Sequence, residues 1–183
     1  MLMTKKTYYV SSIIFALLII TANYTVQFSI NEWLTYGALI FPFTFLLTDI
    51  LSEKYSQEEV LKVVKLGIII AVIPTVMVSD WRIAFASILT FFIVQQMDVK
   101  IFHYFKQKFT SLWWLRNNAS TMISSFFDTV LFFILAFAFI MPADVIIKLI
   151  IGDYLIKLTL ALLDTPIFYL VAIKFKQVTQ KVF

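Results

Sequence analysis

Apolar residues run along this chain in long unbroken blocks separated by short polar clusters, without the apolar–polar alternation that a barrel strand needs. Six blocks approach or exceed the ~20 residues required to cross ~30 Å of hydrocarbon: Tyr8–Phe28, Leu34–Leu51, Val60–Val78, Ile83–Phe102, Ala119–Met141 and Tyr154–Ile173. "SINEW" separates the first two, "VSDWR" the third and fourth, and "MPAD" the fifth and sixth. Lipid cannot satisfy backbone N–H and C=O groups, so each block is expected to be a helix. The pattern predicts an all-α polytopic membrane protein, with residues 1–183 forming a single six-helix transmembrane domain.

Composition agrees with a lipid solvent. Hydrophobic residues make up 61% and charged residues 14% of the chain, against ~45–50% and ~25% in soluble domains. The opening "MLMTKKTYYVSSIIFALLIITANY" lacks a small-x-small cleavage site, so the first block is expected to be a retained helix rather than a signal peptide. With no Cys, disulfides, thiolate metal sites and thiol catalysis are excluded. Lys5, Lys6, Lys54, Lys62, Lys65, Lys100, Lys106, Lys108, Arg116, Lys174, Lys176 and Lys181 all fall on one side of the predicted bundle. Arg82 and Lys148 fall on the other, and Lys157 lies within the sixth block. The positive-inside rule then puts both termini in the cytoplasm, and it accounts for the net charge of +4 without nucleic acid as a partner.

Polar residues inside the blocks carry the functional signal. A charge at the centre of a membrane helix costs about 2.5–3.5 kcal/mol on insertion scales, so it is expected to face the bundle interior, a polar cavity or a counter-charge. Spacing suggests how such groups share faces. Asn23 and Gln27 are four apart on helix one, as are Asp49 and Glu53 on helix two. Gln95 and Asp98 are three apart on helix four. Ser120, Ser124 and Asp128 form a stripe on helix five, and Asp153, Lys157 and Asp164 another on helix six. Helix three has no polar interior and reads as scaffolding, with Pro74 a candidate kink.

Plainer readings stand beside these. Lys157 can pair with Asp153 or Asp164 as interhelical glue. Asp49, Glu53 and Asp98 can be solvated at an interface, and the helix-five hydroxyls can bond back to their own helix. Asp128 is the hardest to explain that way, because no basic residue adjoins it in sequence. Enzyme signatures are lacking. There is no HExxH metal motif, and three Gly cannot make a phosphate-binding loop. His103 lies beyond the fourth block near Lys100 and Lys106, as an interfacial residue rather than a catalytic base. The sequence therefore assigns no catalytic residue, metal or cofactor.

Five stretches bear a family pattern: "ANYTVQ", "FPFTFLLTDILSEKYS", "QQMDVKIFHYFK", "WWLRNNASTMISSFFDTVLFFILAF" and "GDYLIKLTLALLDTPIFYL". In this order they resemble the VUT family of vitamin uptake transporters, the queuosine precursor transporters. Ser56 stands where members commonly carry Gly. The resemblance implies import of a 7-deazaguanine (preQ0, preQ1 or queuine) for tRNA queuosine synthesis or salvage, across the bacterial cytoplasmic (inner) membrane. It also implies a fold akin to the substrate-binding subunits of energy-coupling-factor transporters. The alternative function is such a subunit, serving an importer for another vitamin. The implied partners are the 7-deazapurine and the lipid bilayer, with a homo-oligomer left open.

The deazaguanine edge presents N1–H and an amine together, which one carboxylate accepts as a pair; Asp128 or Asp98 can do this. Amides at Asn23, Gln27 and Gln95 suit O6 and the pyrrole N–H, and Asp49 or Glu53 suits an aminomethyl cation. Phe127, Trp114, Tyr24 and Phe45 are candidates for a slot around the flat ring. Arg116, Asn117 and Ser120 can form a gate or cap helix five. Lys157 completes the expected set of substrate-binding residues.

Overall fold

The computed structural model describes residues 2–174, so Lys176 and Lys181 of the predicted basic side lie outside the described residues. Six α-helices are present among them: α1 (Lys5–Thr25), α2 (Gly37–Lys54), α3 (Gln57–Val78), α4 (Trp81–Lys108), α5 (Trp113–Phe137) and α6 (Ala143–Phe168). A π-helical segment, Tyr169–Lys174, continues α6. Between α1 and α2 the chain forms a small antiparallel hairpin, β1 (Ser29–Asn31) and β2 (Leu34–Thr35), in which Ser29 pairs with Thr35.

Every predicted block holds a helix, but the ends move for local reasons. Thr4 caps α1, its hydroxyl accepting from the Thr7 N–H, so the helix begins ahead of Tyr8. It stops at Thr25, short of the expected Phe28, and the hairpin takes Leu34 and Thr35, which apolarity alone assigned to helix two. Asp80 caps α4 by accepting from the Arg82 N–H at 2.9 Å. The sixth helix starts at Ala143, well before Tyr154. Asp144, Lys148 and Gly152 lie in the added stretch, and none prevents helix formation.

α1 and α3 run parallel and pack closely. The Met3 N–H bonds to Glu59 at one end, and Gln27 Nε2 donates to Val78 O at the other. Phe15, Ile19, Val60, Val63, Val64 and Ile68 belong to the apolar core at and around this seam. Gly67 permits it, since a Cβ there would lie 2.6 Å from Phe15 Cδ1. Ile69, Ile73 and Met77 of α3 face outward, as do Leu155 and Leu163 of α6. Asp49, Asp98, Asp128, Asp153, Lys157 and Asp164 are buried. This is the distribution expected of a bundle in lipid, with expensive polar groups turned inward. α1, α3, α4 and α5 are long and apolar enough to cross a membrane. α2 and α6 are more heavily charged, through Asp49, Glu53 and Lys54 in one and Asp144, Lys148, Asp153, Lys157 and Asp164 in the other. The chain is a multi-pass membrane protein.

Candidate functional site

Buried polar groups on α2, α4, α5 and α6 form a column along the bundle. At the end nearer the hairpin, Lys157 sits inside a complete hydrogen-bond shell. Its Nζ donates to Asp128 Oδ2 at 2.8 Å and to Thr129 Oγ1 at 3.1 Å, and it lies 2.6 Å from Asp153 Oδ2. An ammonium has three hydrogens, so all are engaged. Thr129 in turn donates to Asp153 Oδ2 at 2.6 Å, and the Phe41 ring covers the ammonium with its centroid 5.0 Å away.

The next polar layer is built differently. Thr44 Oγ1 donates to its own helix at Phe41 O, 2.7 Å away, and can therefore only accept from Gln95 Nε2, also at 2.7 Å. That relay fixes the amide and turns Gln95 Oε1 toward Thr48. Thr48 Oγ1 bonds back to Phe45 O at 2.9 Å and stands 3.4 Å from both Gln95 Oε1 and Asp98 Oδ2. Asp49 lies beside Asp98 and accepts from Thr121 Oγ1 at 3.1 Å, while Ser124 faces Asp98. Among the described residues, Asp49 Oδ1, Asp98 Oδ1, Asn117 Oδ1 and Ser124 Oγ have no hydrogen-bond partner. A native interior leaves few such groups, and each calls for an explanation.

At the far end the column closes. Arg116 Nε donates to Glu53 Oε2 at 2.9 Å and Nη1 to Thr110 O at 3.0 Å. Lys106 Nζ donates to Ser52 O and Glu53 O, tying the end of α2 to α4. Asn117 reaches Asp164, and Thr165 donates to Asn118 Oδ1 at 3.0 Å.

Several expectations need correction. Asp128 has a basic neighbour after all, because α6 brings Lys157 to it from 29 residues away. Lys157 pairs with Asp128 and Asp153, not with Asp164. Asn23 and Gln27 do not share an inward face: α1 ends at Thr25, so the four-residue rule does not reach Gln27, which is exposed. Asn23 is buried on α1, and its side-chain amide has no hydrogen-bond partner among the described residues. Trp114, 48% exposed, together with Tyr24 and Phe127, points away from the interior, leaving Phe45 as the buried member of the aromatic set. Glu53 is engaged by Arg116 rather than held open; Ser120 bonds back to Arg116 O at 2.7 Å, the plainer reading of a helix-five hydroxyl, and also neighbours Asp49.

Asp49, Gln95, Asp98 and Asn117 do converge in the interior. Thr44, Thr48, Thr121 and Thr129 were missed, whereas the expected pairing of Lys157 with Asp153 is present. Thr44 and Thr48 are four apart in "FPFTFLLTD", a spacing that could have placed both hydroxyls on one face.

Comparison with known proteins gives this column a context. No solved structure matches the chain. A curated relative from Bacillus subtilis (strain 168), named "Probable queuosine precursor transporter", is 34% identical over 160 residues, covering 74% of this chain and 70% of its own. "Queuosine precursor transporter" of Escherichia coli (strain K12) is 30% identical over 148 residues, 68% of this chain and 66% of its own. A Haemophilus influenzae relative (strain ATCC 51907 / DSM 11121 / KW20 / Rd), also named "Probable queuosine precursor transporter", is 29% identical over 123 residues, 56% of this chain and 52% of its own. The family described as "Putative vitamin uptake transporter" matches residues 35–80 and 74–171, which take in all four polar helices of the column, and the chain belongs to that family.

Proposed function

We propose that this protein imports 7-deazaguanine precursors of queuosine across the bacterial inner membrane, acting as a transporter and not as an enzyme. One observation carries the reading: in the layer around Asp49 and Asp98, buried carboxylate and amide oxygens lack hydrogen-bond partners among the described residues. A deazaguanine is its chemical complement, presenting N1–H, an exocyclic amine and a pyrrole N–H. Asp98 accepts the N1–H and amine as a charge-assisted pair. Asp49 and Asn117 take the remaining donors, including an aminomethyl cation where the substrate has one. Gln95, held by Thr44, offers Oε1 to the same space.

In this reading all six helices span the bilayer, with both termini cytoplasmic and the hairpin outside. Glu53 and Arg116 then form the cytoplasmic gate, and substrate leaves when that ion pair opens. The relatives' names favour this over a binding subunit for another vitamin. The test is uptake in a bacterium that can neither make preQ0 nor import precursors. Expression of this chain with supplied precursor should restore queuosine to tRNA. No restoration with preQ0, preQ1 or queuine, despite normal membrane expression, would defeat the proposal.

A further inference from the structure

Beneath the hairpin lies a cavity of about 280 Å³, separate from the carboxylate layer. Gln27, Ser29 and Thr35 line one part of it, and Phe133, Phe137 and Leu149 another. Three features mark it as built for a ligand. Phe133 and Phe137 are stacked, with ring centroids 5.9 Å apart and planes 30° apart, giving an aromatic wall. Thr35 is buried, and its hydroxyl has no hydrogen-bond partner among the described residues. The hairpin roof is seated on α6, for a Cβ added at Gly152 would lie 2.1 Å from Trp33 O.

The cavity adjoins the top of the column. One helical turn from Phe133 on α5 is Thr129, and one turn from Leu149 on α6 is Asp153. These two bond to each other at the top of the column.

We propose that this cavity is a first docking site, in which a flat heteroaromatic base lies against Phe133 and Phe137 with Thr35 hydrogen-bonded to its edge before it passes to the carboxylate layer. The identity of the base rests on the transport reading above; the position of the site does not. A volume of about 280 Å³ stands just below the usual range of ligand pockets, about 300–1,000 Å³, and suits a bicyclic ring rather than a nucleoside.

The chain has no Cys, so single cysteines can be introduced into the natural background. Thr35→Cys and Ser29→Cys report on the cavity, and Glu32→Cys, at the exposed hairpin tip, is the control. All three are labelled in intact cells with a membrane-impermeant maleimide, with and without preQ1, while uptake is measured in parallel. Precursor should slow labelling at positions 35 and 29 several-fold and leave position 32 unchanged. Phe133→Leu should raise the half-saturation concentration for uptake about tenfold, the loss of one base–aromatic stack, with the maximal rate kept. Ongoing uptake without protection at either position 35 or 29, or with equal protection at 32, would overturn the docking site and leave the transport reading intact. Absence of uptake by the unsubstituted chain would instead overturn the transport reading. Ser29→Cys keeps the test decisive if Thr35→Cys does not fold, since Ser29 is exposed.

Discussion

Around Lys157, each ammonium hydrogen has an acceptor and both neighbouring carboxylates face a cation; around Asp98, two carboxylates lie together and one oxygen of each lacks a hydrogen-bond partner among the described residues. The two groups occupy one bundle and share α5, yet the first is closed to further partners and the second is not. The contrast separates charge that holds helices together from charge that can recognise a ligand. Burial alone does not make that distinction, because Asp128 and Asp98 are both buried. The count of satisfied hydrogen bonds does.

Substitutions can break this contrast or sharpen it. The largest effect is expected from Lys157→Met, which leaves Asp128 and Asp153 facing each other without their cation. Loss of one member of a buried ion pair costs about 3–5 kcal/mol. Thermal unfolding in detergent should show it as a large drop in stability, and Lys157→Met with Asp128→Asn should recover part of the loss. If the single variant is as stable as the parent, Lys157 is not the fastener described here.

Asp98→Asn should do the reverse, keeping the fold while uptake affinity falls about 10- to 100-fold, from loss of hydrogen bonds to a charged acceptor worth ~1.5–3 kcal/mol. Equal transport defects per folded molecule in Asp98→Asn and Asp128→Asn would erase the difference between the two groups. Thr44→Val should be milder. It frees the Gln95 amide to turn, at about 1 kcal/mol, and raises the half-saturation concentration roughly fivefold. Trp114→Leu should sit at the bottom, within about 0.5 kcal/mol in unfolding and with unchanged uptake, because its ring lies outside the column.

How much of this was legible from residues alone depended on the range of the interaction. Apolar blocks located all six helices, since lipid acts on each segment separately. Faces also followed from spacing where a helix continued through both residues, as for Gln95 and Asp98. The rule failed at Gln27 because no local signal marked the end of α1 at Thr25. It offered Asp153 as a partner for Lys157, as found, but could not replace Asp164 by Asp128, a choice set by the packing of α5 on α6. Asp128-Thr129 and Asp164-Thr165 look alike as dipeptides, yet one joins Lys157 and the other Asn117 and Asn118. Sequence could nominate the carboxylates, but only tertiary contacts could sort them.

Gly152 has a mechanical consequence. Its contact with Trp33 is made by backbone, with no flexible side chain between to absorb displacement. The next residue is Asp153, which holds Lys157 and Thr129. A rotation of α6 about this point is therefore felt at the hairpin, and a displacement of the hairpin at α6. The two act as the ends of one short lever, with glycine as its bearing.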